Sequence, residues 1–193
     1  MEPNINFVTD QIAIGGDLDT DRPQVAEQQL AALVALGITH IIDCREEWSD
    51  EDFVAEHAPQ IAYLHNGTHD DGHSQPDEFF DRGLSFGREA LADDGAKLLV
   101  HCHMGINRGP SLGYAVMLDQ GHDPVEALDA IRAARPRAGI SYSEDALWHH
   151  LKRSEASAEA IQRELERIRA WRGEYRIDPI RMLRLIGGGH PAA

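Results

Sequence analysis

The chain has 193 residues, of which 42% are hydrophobic and 26% charged, and these values predict one globular domain with an extension. A formal net charge of −15 at pH 7 excludes nucleic acid and anionic membrane surfaces as expected partners. No apolar run has the length of a membrane span, and the first residues lack the features of a secretion signal. Only two cysteines occur, which argues against a disulfide framework and favours a reducing, cytoplasmic location.

The first half of the chain alternates short apolar runs with helical periodicity. Residues 5–14 predict a strand or hairpin that ends at Gly15-Gly16, and residues 23–36 predict a helix with Gly37 as its C-cap. The further predictions are a strand over 38–43, a helix over 49–57, a strand over 61–65, a loop over 65–75 and a helix over 76–92.

The second half continues the alternation. It predicts a strand over 98–100 and helices over 110–118, 123–134 and 143–151, with Asp123 and Ser143 as N-caps. The fold class is therefore expected to be α/β, with a mostly parallel central sheet flanked by helices. From Arg153 onward, apolar residues at helical spacing predict an extra helix that packs on the domain or forms a dimer contact. We expect residues 1–152 to form the main domain and 153–193 a helical C-terminal extension.

The segment between the strand at 98–100 and the next helix carries the strongest chemical signal. Its sequence is His101-Cys102-His103-Met104-Gly105-Ile106-Asn107-Arg108. A tight loop that leads into a helix start binds anions through its backbone N–H groups and the helix dipole. A thiol there should have a pKa below the usual value of about 8.5. Arg108 can hold two oxygens of one phosphate. The alternative is a structural cysteine, with Arg108 on a solvated helix face.

This segment resembles the Cys-x5-Arg motif of protein tyrosine and dual-specificity phosphatases. The matching residues are His101, Cys102, Gly105, Arg108, Pro110 and Ser111. The segments Ile-Ala-Ile-Gly-Gly, Leu-Gly-Ile-Thr-His-Ile-Ile-Asp and Ile-Arg-Ala-Ala-Arg-Pro extend the resemblance over about residues 5–152. It implies a cysteine-phosphatase fold and a phosphomonoester hydrolase that needs no metal or cofactor. The implied substrate is a protein phosphorylated on tyrosine and/or serine/threonine, or a small phosphate ester.

The resemblance also implies roles for individual residues. Cys102 would attack phosphorus and form a cysteinyl-phosphate intermediate. His101 would support the loop through hydrogen bonds, and Gly105 would permit its tight turn. The phosphate oxygens would bind Arg108 and the backbone N–H groups of the loop, which belong to His103, Met104, Gly105, Ile106, Asn107 and Arg108.

The family places an aspartate upstream of the cysteine as the general acid, which protonates the leaving oxygen. The candidates here are Asp70 and Asp71. Alignment of the helix over residues 76–82 with the family's equivalent helix puts Asp70 in register, and Asp71 remains the alternative.

One position departs from the family pattern. Many members have Ser or Thr directly after the arginine, where this chain has Gly109. We therefore expect either slower hydrolysis of the intermediate or assistance from another hydroxyl, such as that of Ser111.

Other chemistries are weaker. The loop setting of His65, His69 and His73 argues against a metal site, because their four-residue spacing aligns ligands only on a helix. A rhodanese-like sulfurtransferase and a slow, phosphate-binding pseudophosphatase remain alternatives.

Cys44 is expected to pack in the core. A reversible disulfide between Cys44 and Cys102, known in some relatives, stays open. The physiological substrate and the oligomeric state are not assigned by the sequence.

Overall fold

Five strands form one sheet in the structure, a computed structural model that describes residues 2–174. The strands are β1 (Ile5–Phe7), β2 (Ile12–Gly15), β3 (His40–Arg45), β4 (Ala62–Thr68) and β5 (Leu98–His101). Their order across the sheet is β1-β2-β5-β3-β4. The β1–β2 pair is an antiparallel hairpin, and the other neighbouring strands are parallel. The predicted α/β class with a mostly parallel sheet is confirmed.

The register of the central strands brings their carboxyl ends to one edge of the sheet. His101, the last residue of β5, is paired with Gly15 on one side and with Asp43 on the other. In open parallel sheets, ligands bind in the crevice beyond the carboxyl ends of the strands. Residue 102 therefore enters that crevice directly.

Helices cover both faces of the sheet. They are α1 (Pro23–Ala35), α2 (Glu51–His57), α3 (Asp77–Leu91), α4 (Arg108–Asp119), α5 (Pro124–Ala134), α6 (Ser143–Arg153) and α7 (Ala158–Glu174). Side chains alternate between the faces of a strand. Leu99 of β5 accordingly packs in the core beneath α1 and α2, whereas Leu98 and Val100 pack in the larger core beneath α3 to α7.

The structure moves several predicted boundaries. The strand predicted over 38–43 runs from His40 to Arg45. Strand β4 continues to Thr68, because its residues pair with β3 across a bulge at Asp43 to Arg45, so the loop predicted from residue 65 begins at His69. Helix α4 begins two residues earlier than predicted, and residues 108–118 are all buried. Asp123 caps α5 as predicted, accepting from the backbone N–H groups of residues 125 and 126. The prediction that Ser143 is the N-cap of α6 is wrong, because Ser143 is the first residue of the helix and Tyr142 is at the N-cap position.

The helix predicted after Arg153 is present as α7 and packs on the domain. Ile168 and Trp171 are buried in the larger core. The indole N–H of Trp171 donates to Asp129 Oδ1 of α5 at 2.7 Å. Residues 175–193 of the predicted extension lie outside the described residues, and the division at residue 152 stays a prediction.

Replacement of Ile168 by alanine tests whether α7 shares the core. Ile168 is fully buried, so Ile168→Ala should lower the free energy of unfolding by about 2–5 kcal/mol in urea denaturation. Ile161 lies on the same helix and is only partly buried, so Ile161→Ala should have a smaller effect. Equal, small losses in both variants would contradict this packing.

Candidate active site

The loop over residues 102–108, called the cysteine loop, joins β5 to α4. Cys102 and Arg108 stand at its two ends and are only 2% and 3% exposed. Gly105 has a φ of +62°, and a Cβ there would collide with the Arg135 guanidinium and the Gly15 carbonyl. The glycine is therefore required for both the turn and the close approach. The predicted loop and helix start are present, and the N-terminus of α4 adds partial positive charge.

Arg108 is a buried, charged residue. Its burial excludes the alternative in which Arg108 lies on a solvated helix face. Its Nη1 donates to Glu47 Oε2 at 2.8 Å and to the Thr68 carbonyl at 3.0 Å. Its Nε lies 3.7 Å from Asp70 Oδ2 and has no hydrogen-bond acceptor among residues 2–174. Burial alone would lower the pKa of Arg108. The hydrogen bond to Glu47 and the nearby Cys102, Glu47 and Asp70 outweigh burial and raise that pKa.

The structure separates the two aspartate candidates. They lie on the loop over residues 69–76, called the aspartate loop. Asp70 Oδ1 accepts from the Tyr142 hydroxyl at 2.7 Å, and Asp70 Oδ2 faces Arg108. Asp71 instead binds His73, through the backbone N–H at 2.9 Å and the ring at 3.2 Å. The structure thus brings Asp70, and not Asp71, to Arg108.

His101 lies beneath the cysteine loop, 3% exposed. Its Nε2 is 3.8 Å from Asp43 Oδ1, and its Nδ1 has no hydrogen-bond partner within residues 2–174. Burial lowers its pKa despite the neighbouring Asp43. The predicted hydrogen bonds from His101 to the loop are therefore replaced by packing and by this contact. Asp43 itself is neutralised by Arg45, whose Nε and Nη2 donate to it at 2.8 and 2.7 Å.

The remaining residues of the cysteine loop are held by neighbouring segments. His103 Nδ1 lies 2.8 Å from Asp17 Oδ2, and the ring meets Trp48 edge-on. The Ile106 carbonyl accepts from the backbone N–H groups of residues 139 and 140 at 2.7 and 3.1 Å. Asn107 Oδ1 accepts from the Ser141 hydroxyl at 2.7 Å. Met104 is 36% exposed at the rim.

Arg135 supports the cysteine loop from below, a role that the sequence analysis missed. It is 1% exposed, and its Nε and Nη2 donate to the carbonyls of Gly105 and Met104 at 2.7 and 2.9 Å. Its other acceptors are Asn6 Oδ1 at 2.8 Å and Asn4 Oδ1 at 3.1 Å. Burial and the nearby Arg137 lower the pKa of Arg135 to about 10. Its place in the Ile-Arg-Ala-Ala-Arg-Pro segment was the available signal.

Glu47 and Tyr142 were also missed. Glu47 follows the carboxyl end of β3, the edge where parallel sheets bind ligands, and that position was its only signal. Its hydrogen bond with Arg108 holds the pKa of Glu47 below the usual range. Tyr142 carries no local signal, because its partner Asp70 is far away in the chain.

The departure at Gly109 has a steric cause in this chain. A Cβ at Gly109 would stand 2.9 Å from the His101 carbonyl carbon and 3.0 Å from the Cys102 nitrogen, so a serine there requires the backbone to shift. Ser111 is fully buried in the first turn of α4, and its hydroxyl accepts from the Tyr142 backbone N–H at 3.1 Å. Its assistance in hydrolysis stays a prediction.

Cys44 is fully buried in the core, as predicted, and burial raises its pKa well above the usual value. Both cysteines are free thiols. A redox role for Cys44 stays a prediction.

The histidines considered for metal binding have other partners. His65 Nε2 lies 2.6 Å from the Arg45 carbonyl, His69 pairs with Glu46, and His73 pairs with Asp71. Across residues 2–174 no three His, Cys, Asp or Glu side chains are grouped to hold a metal ion. None of the helices found between those residues is both long and apolar enough to span a bilayer.

The sheet, the cysteine loop and the buried arginine are those of a cysteine-phosphatase fold, and comparison with known families agrees. The family model "Dual specificity phosphatase, catalytic domain" matches residues 23–157. The chain therefore belongs to the dual-specificity phosphatase family.

The individual relatives have low sequence identity to this chain. Human dual specificity protein phosphatase 26 is 29% identical over 106 residues, which is 54% of this chain and 49% of the relative. The chain thus spans about half the length of the curated relatives it matches. The crystal structure of PTPMT1 in complex with PI(5)P has a TM-score of 0.63 and 17% identity, covering 78% of this chain and 97% of that one. Human DUSP28 has a TM-score of 0.62 and 17% identity, covering 79% and 96%. Both show the fold.

The buried His101 predicts a pH dependence of stability. Its pKa is lowered in the folded state from 6.5, so as pH falls below about 6.5 the unfolded chain takes up a proton that the native protein refuses. The free energy of unfolding should therefore fall between about pH 7 and pH 5, and His101→Asn should flatten this slope.

The measurement is urea denaturation across that pH range. His122 is exposed, so His122→Asn should retain the wild-type slope. An unchanged slope in His101→Asn would show that His101 is not the group responsible.

Proposed function

We propose that this protein is a metal-independent phosphomonoester hydrolase that forms a cysteinyl-phosphate intermediate. Its substrates would be proteins phosphorylated on tyrosine and/or serine/threonine. The observation that carries the proposal is the cysteine loop itself. It sets a thiol at one end and a buried, charged guanidinium at the other, with Arg108 Nε lacking an acceptor among the described residues. A bound phosphate oxygen would satisfy that donor.

In the first step, the loop binds the phosphate dianion. Arg108 and the backbone N–H groups of residues 103–108 hold its non-bridging oxygens. Arg135 favours this arrangement, because it draws the carbonyls of Gly105 and Met104 away from the pocket. The Cys102 thiolate then attacks phosphorus in line, so that an S–P bond forms and the bond from phosphorus to the leaving oxygen breaks.

Asp70 supplies the proton in that step. The leaving oxygen receives it and departs as an alcohol or phenol. In the second step the Asp70 carboxylate takes a proton from water as that water attacks phosphorus. The S–P bond breaks, and Cys102 regains its thiolate form together with release of inorganic phosphate. The position of Asp70 Oδ2 beside Arg108 supports this assignment over Asp71.

The surroundings favour substrates with a single phosphate. An open groove of about 860 Å³ adjoins His103 and is lined by several carboxylates. Those side chains are Asp17, Asp19, Asp21, Asp50 and Asp52. The cysteine loop has no Lys or Arg before Arg108. Arg22 pairs with Asp19, and Arg45 with Asp17 and Asp50, so five carboxylates face two guanidinium groups and additional phosphates would meet net negative charge. A small monophosphate ester remains an alternative to a phosphorylated protein.

Two other functions are less well supported. A sulfurtransferase has no need of an acid, whereas Asp70 stands beside Arg108. A slow, phosphate-capturing pseudophosphatase is favoured by one observation, the lack of a hydroxyl at Gly109. The cytoplasmic location, proposed because the thiolate must stay reduced, rests on the cysteine content alone.

Hydrolysis of para-nitrophenyl phosphate in EDTA tests the nucleophile. The wild type should be active, and Cys102→Ser should reduce kcat by about 10³-fold or more while inorganic phosphate still binds. Cys44→Ser is the matched control and should retain activity if folded. Substantial activity in Cys102→Ser would refute the mechanism, and so would loss of the wild-type activity in EDTA.

A comparison of substrates with good and poor leaving groups tests which aspartate is the general acid. Asp70→Asn should lower kcat/KM by about 10²-fold for phenyl phosphate, which leaves poorly, and much less for para-nitrophenyl phosphate. Asp71→Asn should change neither, because Asp71 faces His73. The reverse pattern would transfer the role of the acid to Asp71.

A comparison of phosphorylated compounds tests the substrate class. A peptide with one phosphotyrosine should have a kcat/KM about tenfold or more above that of a polyphosphorylated inositol at low salt. Added salt should narrow the difference, because screening weakens the repulsion from the groove. A preference for the polyphosphate would reject the proposed class.

A further inference from the structure

Tyr142 is the last residue of the α5–α6 loop, residues 135–142, which contacts both the cysteine loop and the aspartate loop. The backbone N–H groups of Gly139 and Ile140 donate to the Ile106 carbonyl of the cysteine loop, whereas Tyr142 contacts the aspartate loop. Its hydroxyl donates to Asp70 Oδ1 at 2.7 Å and accepts from the Gly72 backbone N–H at 3.2 Å. Because the N–H of Gly72 occupies a lone pair of the hydroxyl, the phenolic proton is directed to Asp70. Burial and Asp70 raise the pKa of Tyr142 to about 12, so it stays a donor near neutral pH.

This contact selects one oxygen of Asp70 for chemistry. With Oδ1 bound by Tyr142, the transferable proton belongs on Oδ2. Oδ2 is also the oxygen that faces Arg108 Nε, at 3.7 Å. Rotation of the carboxyl group away from the pocket would break the hydrogen bond with Tyr142.

Helix α7 holds the segment around Tyr142 in place. Arg172 Nη2 donates to the carbonyls of Ile140 and Ser141 at 2.8 and 2.6 Å, and to Ser143 Oγ at 2.9 Å. These three acceptors flank Tyr142 on both sides. The Tyr142 backbone N–H is fixed in turn by Ser111.

Ile140 shows that the segment is constrained. It is fully buried and has a φ of +50°, a conformation that a β-branched residue adopts only under strain. Such strain persists only where the surrounding structure determines the backbone. Here the N–H of Ile140 donates to Ile106 of the cysteine loop, and its carbonyl accepts from Arg172.

We propose that Tyr142 is a positioning residue for the proton donor Asp70, and that helix α7, through Arg172, keeps Tyr142 in position. The inference rests on the proposed function, in which Asp70 is the general acid. It makes helix α7 part of the apparatus that positions the acid, in addition to its packing on the core.

The test compares phenyl phosphate with para-nitrophenyl phosphate in single and double variants. Tyr142→Phe should lower kcat for phenyl phosphate about tenfold and that for para-nitrophenyl phosphate much less, with inhibition by inorganic phosphate unchanged. In the Asp70→Asn background the same substitution should add no further loss, because its partner is absent. A merely structural effect of Tyr142→Phe would be additive.

Arg172→Met should change kcat in the same direction as Tyr142→Phe, with Arg172→Lys partly restoring it. The matched control is Arg167→Met, since Arg167 lies on α7 but binds Asp123, the N-cap of α5. Arg167→Met should keep the wild-type dependence on leaving group, even if its stability falls. Equal kinetic losses in Arg172→Met and Arg167→Met would overturn the role of Arg172.

The acid role of Asp70 and the positioning role of Tyr142 would fail in different ways. If Asp70→Asn depends on the leaving group while Tyr142→Phe does not, only the positioning role is wrong. Additive losses in the double variant also reject it. If Asp70→Asn shows no such dependence, the acid assignment falls and the positioning role falls with it, whereas the Cys102 experiment still decides the phosphatase activity.

Discussion

The site depends on keeping the charge of Arg108 while burying its guanidinium. A buried cation is tolerated only where opposite charge and hydrogen-bond acceptors surround it. Those groups come from separate connections: Glu47 follows β3, the Thr68 carbonyl ends β4, and Asp70 lies on the loop beyond it. The parallel order of β5, β3 and β4 brings these segments to one edge. The same sheet order that forms the core thus assembles the pocket.

Arg135, a second buried arginine, stabilises the backbone of the cysteine loop. All acceptors of Arg135 in the described structure are uncharged oxygens, two from the cysteine loop and two from asparagine side chains. Its guanidinium therefore satisfies backbone carbonyls that would otherwise be unpaired or face an anion. Arg108 presents charge to the pocket, whereas Arg135 shapes the backbone of the loop. Neither role can be exchanged for lysine, which lacks the planar fork.

Local patterns predicted the elements whose causes are local. The Asp123 cap, the apolar run before Cys102 and the glycine in the turn each act within a few residues of the chain. Strand β4 was underestimated because its last residues are extended by pairing with β3 rather than by their own apolarity. Helix α4 was placed late because its first turn is buried on all sides and shows no amphipathic onset. Glu47, Arg135 and Tyr142 were missed because their partners are remote in sequence. The alignment of the following helix favoured Asp70 over Asp71, and the structure places Asp70 beside Arg108.

The hairpin at the start of the chain lies outside the match to the family model, yet it belongs to the same structural unit as the cysteine loop. The family match begins at residue 23, yet Asn4 and Asn6 on the other side of that boundary bind Arg135. Gly15, also outside the match, contributes its carbonyl to the N–H of Cys102 at 3.4 Å. A fragment cut at residue 23 would retain the whole Cys-x5-Arg motif and lose part of the framework beneath it. For this chain, the shortest sequence that contains the motif and the shortest sequence that can hold its shape are different lengths.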